Sequence, residues 1–315
     1  MAARTPALRY RLELMLARTV SGCVRLLPMP VVRACGGALG HAVYLVDRFH
    51  LRIALTNLAQ AFPSRSEGER RALARAMFAH FGRLLLELIK FGAMSDSQIL
   101  ARIESEGDER VLHAYQLGRG VLFFTGHFGY WEMQAIAHPL LRLGPVSVLA
   151  RPLDNPYLHD WLERIRTRTG NSVIYRQGAI RKVMRELAAN RGVALLIDQH
   201  LHADAVYVDF FHRPAATTSA LAALAIRTGA PVIPVFALPL PHGRYRFVYE
   251  RPVPPPNDES PDAVRDFTQR CTDVLEMYVR RDPALWLWMH RRWRDRDPAL
   301  AGEANGADEA ANAFD

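Results

Sequence analysis

Residues 121–132 read VLFFTGHFGYWE, and this stretch decides the fold. Its first five residues form a short, uninterrupted apolar run, which predicts a buried β-strand. Gly126 and Gly129 then allow a tight turn, after which WEMQAIAHPLLRL, starting at residue 131, has the spacing of an amphipathic helix. We therefore expect His127 at a strand–helix junction and Glu132 in or near the first turn of the helix.

Short apolar runs of the same kind recur along the rest of the chain, and helical segments separate them. Strands that alternate with helices of this length predict an α/β fold, with a mixed, mainly parallel central sheet flanked by helices. The further strand candidates are VSVLA at 146–150, SVIY at 172–175, VALLI at 193–197, VYVDF at 206–210, VIPVF at 232–236 and RFVYE at 246–250. The helix candidates lie near 128–143, 156–168, 178–190 and 217–229.

Helices are also predicted at both ends of the chain. Ser66, with Glu69 three residues later, has the pattern of a capping box and opens a helix over 66–92. A last helix over about 260–281 follows a proline-rich loop. We predict three regions, namely amphipathic helices at 1–48, a main domain at 49–300 and a disordered acidic tail at 301–315.

The charge of the chain indicates anionic partners. The 315 residues contain 40 Lys and Arg against 32 Asp and Glu, a net charge of +8, and only Lys90 and Lys182 are lysines. The last fifteen residues hold four of the acids and no base, so the rest of the chain is more basic still. A basic body suits nucleic acid, a phospholipid surface or an acidic carrier protein. The hydrophobic content of 50% excludes a disordered or fibrous chain.

The N-terminal segments 8–27 and 31–46 are rich in arginine and poor in acids. Arginines interrupt their apolar residues, so no window is expected to span a membrane, and Glu13 and Arg18 argue against a signal peptide. The segments fit helices that lie in an anionic lipid interface, or a buried helical pair that covers the core. Three cysteines without a CxxC spacing predict a reducing compartment.

His127 and Glu132 are the candidate catalytic pair. In such a turn the carboxylate would orient one ring nitrogen and leave the other as a general base. A helix N-terminus disfavours the imidazolium, so we expect a neutral ring. The chain has no GxSxG motif and no cysteine in a nucleophile setting, so the pair suits direct deprotonation of a substrate hydroxyl that attacks an activated ester. The alternative is a histidine with a purely structural role at a helix end.

Two further clusters each allow more than one interpretation. Asp198, His200, His202 and Asp204 could ligate zinc or manganese, as in a metal-dependent phosphoesterase, although no comparable ligand set occurs elsewhere. Arginines that follow the turn could bind phosphate or simply form a solvated helix face. These arginines are Arg151, Arg164, Arg166 and Arg168.

The C-terminal aromatic and basic residues predict an edge of the molecule that contacts membrane headgroups. Nucleic-acid binding and a structural cation–π ladder are the alternatives. The residues concerned are Trp286, Trp288 and Trp293, with Arg291, Arg292, Arg294 and Arg296.

Several blocks of sequence, in this order, resemble those of the bacterial lipid A biosynthesis acyltransferase family, and the resemblance covers about 50–296. Asn57, Phe62-Pro63 and Glu87 also match N-terminal landmarks of that family. The blocks are GHFGYWE at 126–132, RPLDNP at 151–156, LERIRTRTG at 162–170, LLIDQH at 195–200, VDFFHRPAATT at 208–218, LAIRTGAPVIPVF at 224–236 and LWLWMHRRWRDR at 285–296.

The resemblance implies an O-acyltransferase at the cytoplasmic face of the inner membrane. It would move a fatty acyl chain from acyl carrier protein, or less often coenzyme A, to a hydroxyl of a membrane glycolipid, here a lipid A precursor. It implies no cofactor, no metal and no nucleic acid. His127 would be the base and Glu132 its partner. The implied substrate-binding residues are Arg151, Asn155, Arg164, Arg166, Asp198, Gln199 and Arg213, of which Asn155 could equally be a helix N-cap.

Phe210, Phe211 and Arg213 would border the acyl-chain groove, although paired phenylalanines also occur in plain cores. Other acceptors, such as a phosphatidylinositol mannoside or an aminolipid, fit the same catalytic blocks. From other classes, a metal-dependent phosphoesterase and a non-catalytic lipid-binding protein stay open.

Overall fold

A seven-stranded sheet, with helices packed around it, forms the centre of the molecule in the computed structural model, which describes residues 5–175, 178–200, 205–256 and 258–294. The strands are β1 (Ile103–Glu106), β2 (Val121–Thr125), β3 (Val146–Ala150), β4 (Ser172–Tyr175), β5 (Gly192–Leu196), β6 (Ala205–Asp209), β7 (Pro214–Thr218), β8 (Val232–Leu240) and β9 (Arg244–Tyr249).

The α-helices flank this sheet, and short 3₁₀ turns occupy His138–Leu141, Pro241–Gly243 and Pro283–Leu285. The helices are α1 (Thr5–Leu26), α2 (Met29–Val46), α3 (Arg48–Ala61), α4 (Glu67–Phe91), α5 (Asp96–Leu100), α6 (Asp108–Gln116), α7 (Trp131–Ala137), α8 (Pro156–Thr167), α9 (Ala179–Ala188), α10 (Ala220–Thr228) and α11 (Pro261–Arg281).

The sheet is mixed and mainly parallel, as the strand pattern predicts. Its order is β1-β9-β8-β2-β5-β3-β4, and only β8 and β9 pair antiparallel. Every residue of β2 is buried, because helices cover both faces of a parallel sheet. In the pairing of β2 with β5, Thr125 lies opposite Leu196. Residues that follow these two positions therefore meet at one edge of the sheet.

The predicted strand VYVDF forms but does not join the central sheet. It corresponds to β6, which pairs antiparallel with β7 in a separate two-stranded sheet. The chain reverses between them at Phe211 and His212, whose φ angles are +57° and +58°. A local apolar run predicts a strand but not its partner, which explains the difference.

Close backbone contact joins the N-terminal helix α2 to α4. A Cβ atom on Gly40 would overlap the carbonyl oxygen of Phe78, and one on Gly82 would overlap the carbonyl oxygen of Gly36. Small residues at such positions let two helix backbones approach closely. The capping box of Ser66 and Glu69 that opens α4 is present as predicted.

The length and composition of α2 would allow it to cross a membrane, contrary to the expectation that no window suffices. The segment is 18 residues long and 28% of it is buried. Arg33 is the only arginine that α2 contains, and its guanidinium turns inward to the carboxylate of the buried Glu87 at 3.1 Å. This inward ion pair is the reason that the arginine does not break the apolar outer surface. The predicted acidic tail, 301–315, lies outside the described residues.

Candidate active site

His127 and Asp198 meet just beyond the carboxyl ends of the neighbouring strands β2 and β5. The ring Nδ1 of His127 lies 2.8 Å from Oδ1 of Asp198, and the backbone N–H of His127 donates to Oδ2 at 2.6 Å. The Asp198 side chain is buried, whereas the His127 side chain keeps 16% of its surface exposed. The carboxylate therefore fixes both the backbone and the ring of the histidine, and leaves Nε2 as the ring nitrogen available for chemistry.

Trp286 completes the surroundings of this carboxylate. Its indole Nε1 donates to Oδ2 of Asp198 at 2.8 Å, and the side chain is buried. The segment around it also holds the catalytic turn through backbone bonds, from Gly129 N to Leu285 O at 2.9 Å and from Leu287 N to His127 O at 3.2 Å. Sequence reasoning missed this role. The available signal was the indole N–H, which needs a partner when the ring is buried.

Steric crowding explains why both Gly126 and Gly129 of the turn are glycines. A Cβ atom on Gly126 would lie 2.7 Å from Oδ2 of Asp198, so a side chain there would push the carboxylate away. Gly129 has φ +61°, and a Cβ atom there would overlap the carbonyl oxygen of Ala237. His80 of α4 lies beneath the turn, where burial lowers the pKa of its ring to about 4 and Nε2 lies 3.1 Å from the Gly129 carbonyl oxygen. A neutral ring donates to that oxygen through Nε2–H, which ties the turn to α4.

Glu132 does not bond to the His127 ring, which corrects the expected pairing. Its carboxylate binds the guanidinium of Arg166 on α8 through two hydrogen bonds, one of them 2.9 Å from Nε. Glu132 occupies the second position of α7, and the first turn of that helix directs it toward α8 rather than back to the ring. The side chain that hydrogen-bonds to the ring is that of Asp198, 71 positions further along the chain.

The pKa of His127 is shifted in the direction opposite to the expected one. Burial by itself would lower the pKa of His127, but the Asp198 carboxylate and the charge of Glu132 outweigh it and raise the pKa above its ordinary value. The two carboxylates thus outweigh the lowering of this pKa that is expected from the helix N-terminus. Burial would likewise raise the pKa of Asp198, but His127 and the hydrogen bonds it accepts lower that pKa to about 2.

A cavity of about 630 Å³ opens beside His127 and extends along the sheet under α7. Its walls are mainly apolar, which suits a hydrocarbon chain. Basic and polar side chains, among them Arg151, Arg166, Gln199 and Arg291, also line it. Arg151 directly follows β3, and Gln199 lies three residues after the end of β5. The apolar lining includes Val146, Val148, Leu149, Ile174, Ala194 and Leu196.

Other predicted substrate residues lie elsewhere. Asn155 is the N-cap of α8, since its Oδ1 accepts from Tyr157 N at 2.9 Å while its Nδ2 donates to Tyr10 O at 3.0 Å. Arg164 is exposed on α8 and does not contribute to the cavity lining, and Arg168 pairs with Asp96.

The residues expected to border an acyl groove lie away from the cavity beside His127. Arg213 lies over the ring of Trp293, at 4.8 Å from its centroid. Phe210 and Phe211 are buried in the core. None of these three residues belongs to the lining of the cavity beside His127.

The predicted aromatic edge at the C-terminus is wrong for its central residues. Trp286, Trp288 and Arg292 are buried, and the guanidinium of Arg292 donates to the carbonyl oxygen of Ala216 and to Oγ1 of Thr217. Burial lowers the pKa of Arg292 to about 10. These side chains turn inward because each polar atom named here finds an acceptor inside the protein. Arg296 lies outside the described residues.

The metal interpretation gains no support from the part of the chain that the structure describes, in which no three His, Cys, Asp or Glu side chains come together as ligands. Asp198, the first residue of the candidate cluster, already accepts hydrogen bonds from His127 and Trp286. His202 and Asp204 lie outside the described residues.

The proteins to which this chain is similar carry the names of lipid acyltransferases. The family model for bacterial lipid A biosynthesis acyltransferase matches residues 3–295. The lipid A biosynthesis lauroyltransferase of Escherichia coli K12 is 28% identical over 274 residues, which are 86% of this chain and 87% of the relative. The phosphatidylinositol mannoside acyltransferase of Mycolicibacterium smegmatis is 27% identical over 225 residues, 70% and 72% of the two chains. A solved 1-acyl-sn-glycerophosphate acyltransferase from Thermotoga maritima is 18% identical, with a TM-score of 0.37, and covers 81% of this chain and 97% of its own.

Proposed function

Because the chain belongs to the bacterial lipid A biosynthesis acyltransferase family, we propose that it transfers a fatty acyl chain from a carrier thioester to a hydroxyl of a membrane glycolipid, most specifically a lipid A precursor. The observation that carries the proposal is the His127–Asp198 hydrogen bond of 2.8 Å beside a largely apolar cavity of about 630 Å³. A base next to a hydrocarbon-sized cavity supplies both needs of the reaction, namely proton removal and space for the acyl chain.

In the proposed mechanism, the ionised Asp198 accepts a hydrogen bond from Nδ1–H of His127. Nε2 then removes the proton from the acceptor hydroxyl as its oxygen attacks the thioester carbonyl. The tetrahedral intermediate collapses, the C–S bond breaks, and the leaving thiolate takes the proton from Nε2–H. Asp198 stabilises the imidazolium between the two proton transfers. The acceptor oxygen itself is the nucleophile in this route, so no acyl-enzyme forms.

Glu132 receives a different role from the one that its spacing predicts. Its carboxylate is bound by Arg166, and its charge acts through space to raise the pKa of His127. We assign Glu132 as a positioning residue that stabilises the imidazolium, with Arg166 holding the carboxylate in place. Asp198 is the direct partner of the base.

The basic residues around the cavity support anionic substrates. Arg151, Arg291 and Arg294 contribute to its lining, in addition to Arg166, whose guanidinium is bound to Glu132. Guanidinium groups suit phosphates, on the glycolipid acceptor or on the phosphopantetheine of an acyl carrier protein. We propose acyl carrier protein as donor, with coenzyme A as the alternative, and no cofactor beyond this co-substrate.

We propose attachment to the cytoplasmic face of the inner membrane, and the exposed side of helix α1 supports attachment to a membrane. Its apolar side chains Leu8, Leu12, Met15 and Leu16 are each more than half exposed. Arginines on the same helix would meet anionic headgroups, while these apolar residues enter the interface. Raised salt should weaken binding to anionic vesicles if the arginines contribute, and a salt-insensitive attachment would contradict that contribution.

The test of the function is mass spectrometry of lipids after expression of the wild type and of His127→Ala. The wild type should add the mass of one acyl chain to an acceptor lipid, and His127→Ala should abolish this while it still binds vesicles. His113→Ala, which changes an exposed histidine on α6, is the matched control. Transfer by His127→Ala would overturn the assignment. A product built on a phosphatidylinositol mannoside or an aminolipid would reassign the acceptor.

A further inference from the structure

The part of the cavity that lies under the end of α7 is polar, although most of the wall is apolar. Gln134 of α7 and His138, one helical turn later, both belong to the lining and are only 4% and 3% exposed. Tyr249 of β9 and Phe123 of β2 line the same region, and the rings of His138 and Phe123 lie 5.0 Å apart. We name Gln134, His138 and Tyr249 the polar floor of the cavity.

The hydrogen-bonding capacity of the polar floor is only partly used. Nδ1 of His138 and the Tyr249 hydroxyl lie 2.8 Å apart and bond to each other. Nε2 of His138 and both amide atoms of Gln134 make no hydrogen bond of normal geometry to any residue that the structure describes, although the Leu143 backbone lies close enough to act on the His138 ring and the Gln134 amide close enough to act on the Tyr249 hydroxyl. Buried polar atoms almost always have a partner, because an unpaired one loses its bonds to water without replacement. The floor therefore offers a donor and acceptors to whatever enters the cavity.

The polar floor lies at a distance from His127 that matches the far part of an acyl chain. Phe123 and Thr125 alternate along β2 on the side of the cavity, and His127 follows just beyond the strand. With a rise of about 3.3 Å per residue, Phe123 lies roughly 7 Å along β2 from Thr125, and the two residues of the turn up to His127 add to this separation. A thioester carbonyl beside His127 would thus place the distal carbons of its chain at the floor.

From this arrangement we infer that Gln134, His138 and Tyr249 form a subsite for a hydroxyl group on the distal part of the donor's acyl chain. The inference rests on the proposed acyl-transfer function. A hydroxyl both donates and accepts, so it can pair with the amide of Gln134 and with Nε2 of His138 in either tautomer. An unsubstituted chain of the same length would cover these polar atoms with methylene groups and leave them unpaired.

The state of the imidazole is consistent with this subsite. Burial lowers the pKa of His138 to about 3, so the ring is neutral at the pH of a cell. No carboxylate is among the residues that line the floor, so nothing there calls for a charged partner. A neutral ligand group such as an alcohol therefore fits better than an ammonium or a carboxylate.

A competition between two donors tests the subsite. Wild-type enzyme receives equal amounts of dodecanoyl and ω-hydroxydodecanoyl acyl carrier protein with one lipid A precursor, and mass spectrometry gives the product ratio. We expect the ω-hydroxylated chain to be favoured by about 3- to 10-fold, the value of one or two ordinary hydrogen bonds. Gln134→Leu and His138→Phe should each reduce this preference toward one. If one of these variants does not fold, Gln134→Met is measured in its place.

Two controls isolate the position of the hydroxyl. An α-hydroxydodecanoyl donor carries its hydroxyl beside the carbonyl, away from the floor, and its ratio to dodecanoyl should be equal in the wild type and in Gln134→Leu. Val148→Ala changes the apolar wall of the cavity and should affect the transfer of dodecanoyl and of ω-hydroxydodecanoyl chains equally. A wild type without preference for the ω-hydroxyl, or a preference unchanged in both floor variants, would overturn the subsite. Absence of transfer from every donor would instead contradict the proposed function.

Discussion

The indole Nε1 of Trp286 donates to Oδ2 of Asp198 at 2.8 Å, the same oxygen that accepts the backbone N–H of His127. One carboxylate thus joins the turn after β2, the end of β5 and the C-terminal segment. Because Oδ1 is left for the imidazole, these two bonds orient the carboxylate toward the ring. The position of the base is therefore set by residues from three distant parts of the chain.

Asp198→Asn should reduce kcat by at least about a hundredfold with little change in KM, because the amide cannot stabilise the imidazolium and can favour the wrong ring tautomer. Trp286→Phe removes one donor but keeps an aromatic ring of similar packing, so we expect a smaller loss in kcat. Steady-state kinetics of the purified variants measures both. Equal kcat values for Asp198→Asn and the wild type would contradict the role of Asp198 as partner of the base.

The raised pKa of His127 predicts the pH dependence of the rate. The base must be neutral, so activity should rise with pH, with a midpoint above the ordinary histidine value of 6.5. In Asp198→Asn the main charge that raises this pKa is gone, and the midpoint should move to lower pH. A pH series of kcat/KM checks the order of the two midpoints. The same midpoint in both proteins would show that Asp198 does not act on the titrating group.

The same pKa shifts predict how stability depends on pH. The folded protein holds the His127 proton more tightly than the unfolded chain, so this contribution is complete below pH 6.5 and disappears as pH rises through the folded value. The Asp198 contribution has the opposite sign. It is complete above 3.8 and disappears as pH falls toward about 2. As the pH rises above 6.5, the free energy of unfolding should therefore fall less for His127→Ala than for the wild type. Chemical unfolding of both proteins at several pH values measures this difference.

Some of this site follows from the sequence, and some depends on strand order. The apolar run before Gly126 and the helix after Gly129 are local patterns, and they place His127 correctly at a strand–helix junction. The neighbour of His127 is not local, because Asp198 meets it only where β5 lies beside β2 in register. Spacing alone favours Glu132, five residues away, whereas the helix turns that side chain toward Arg166.

The C-terminal aromatic residues illustrate a second limit of sequence patterns. A sequence rich in tryptophan and arginine is typical of a surface that contacts membrane headgroups. It is equally typical of a core in which buried N–H groups are hydrogen-bonded. Trp286 and Trp288 belong to the core because their indole N–H groups reach Asp198 and the carbonyl oxygen of Pro283. The first of these acceptors is 88 residues away, and no local signal indicates it.

Variants of the Glu132–Arg166 pair should shift the pH midpoint in opposite directions. Glu132→Gln removes a charge that raises the pKa of His127, so the midpoint should fall. Arg166→Met leaves the Glu132 carboxylate without its counter-ion, so the midpoint should rise. In the double variant both charges are absent, and its midpoint should lie between those of the single variants. Shifts in the same direction for both single variants would contradict action through the charge of Glu132.

Glycine substitutions should separate packing from helix propensity in the N-terminal helices. Gly22→Ala in α1 meets open space and should raise the free energy of unfolding by about 0.5–1 kcal/mol. Gly40→Ala in α2 gains the same propensity, but its Cβ meets the backbone of Phe78 and Ala79, and we expect a net loss of about 1–3 kcal/mol. Denaturant unfolding in a mild detergent measures both. An equal gain for the two variants would show that α2 does not need close contact with α4.

Asn155 provides a test between a structural and a substrate-binding role. Its Oδ1 caps α8 at Tyr157 N and Leu158 N, and its Nδ2 connects α8 to Tyr10 and Glu13 of α1. Asn155→Ala should therefore lower the free energy of unfolding by about 0.5–2 kcal/mol, with kcat and KM unchanged at temperatures where the variant is folded. Asn155→Asp keeps the cap but loses both Nδ2 bonds and brings a second carboxylate near Glu13, so it should recover only part of the stability. A rise in KM for Asn155→Ala, without loss of stability, would instead assign this residue to substrate binding.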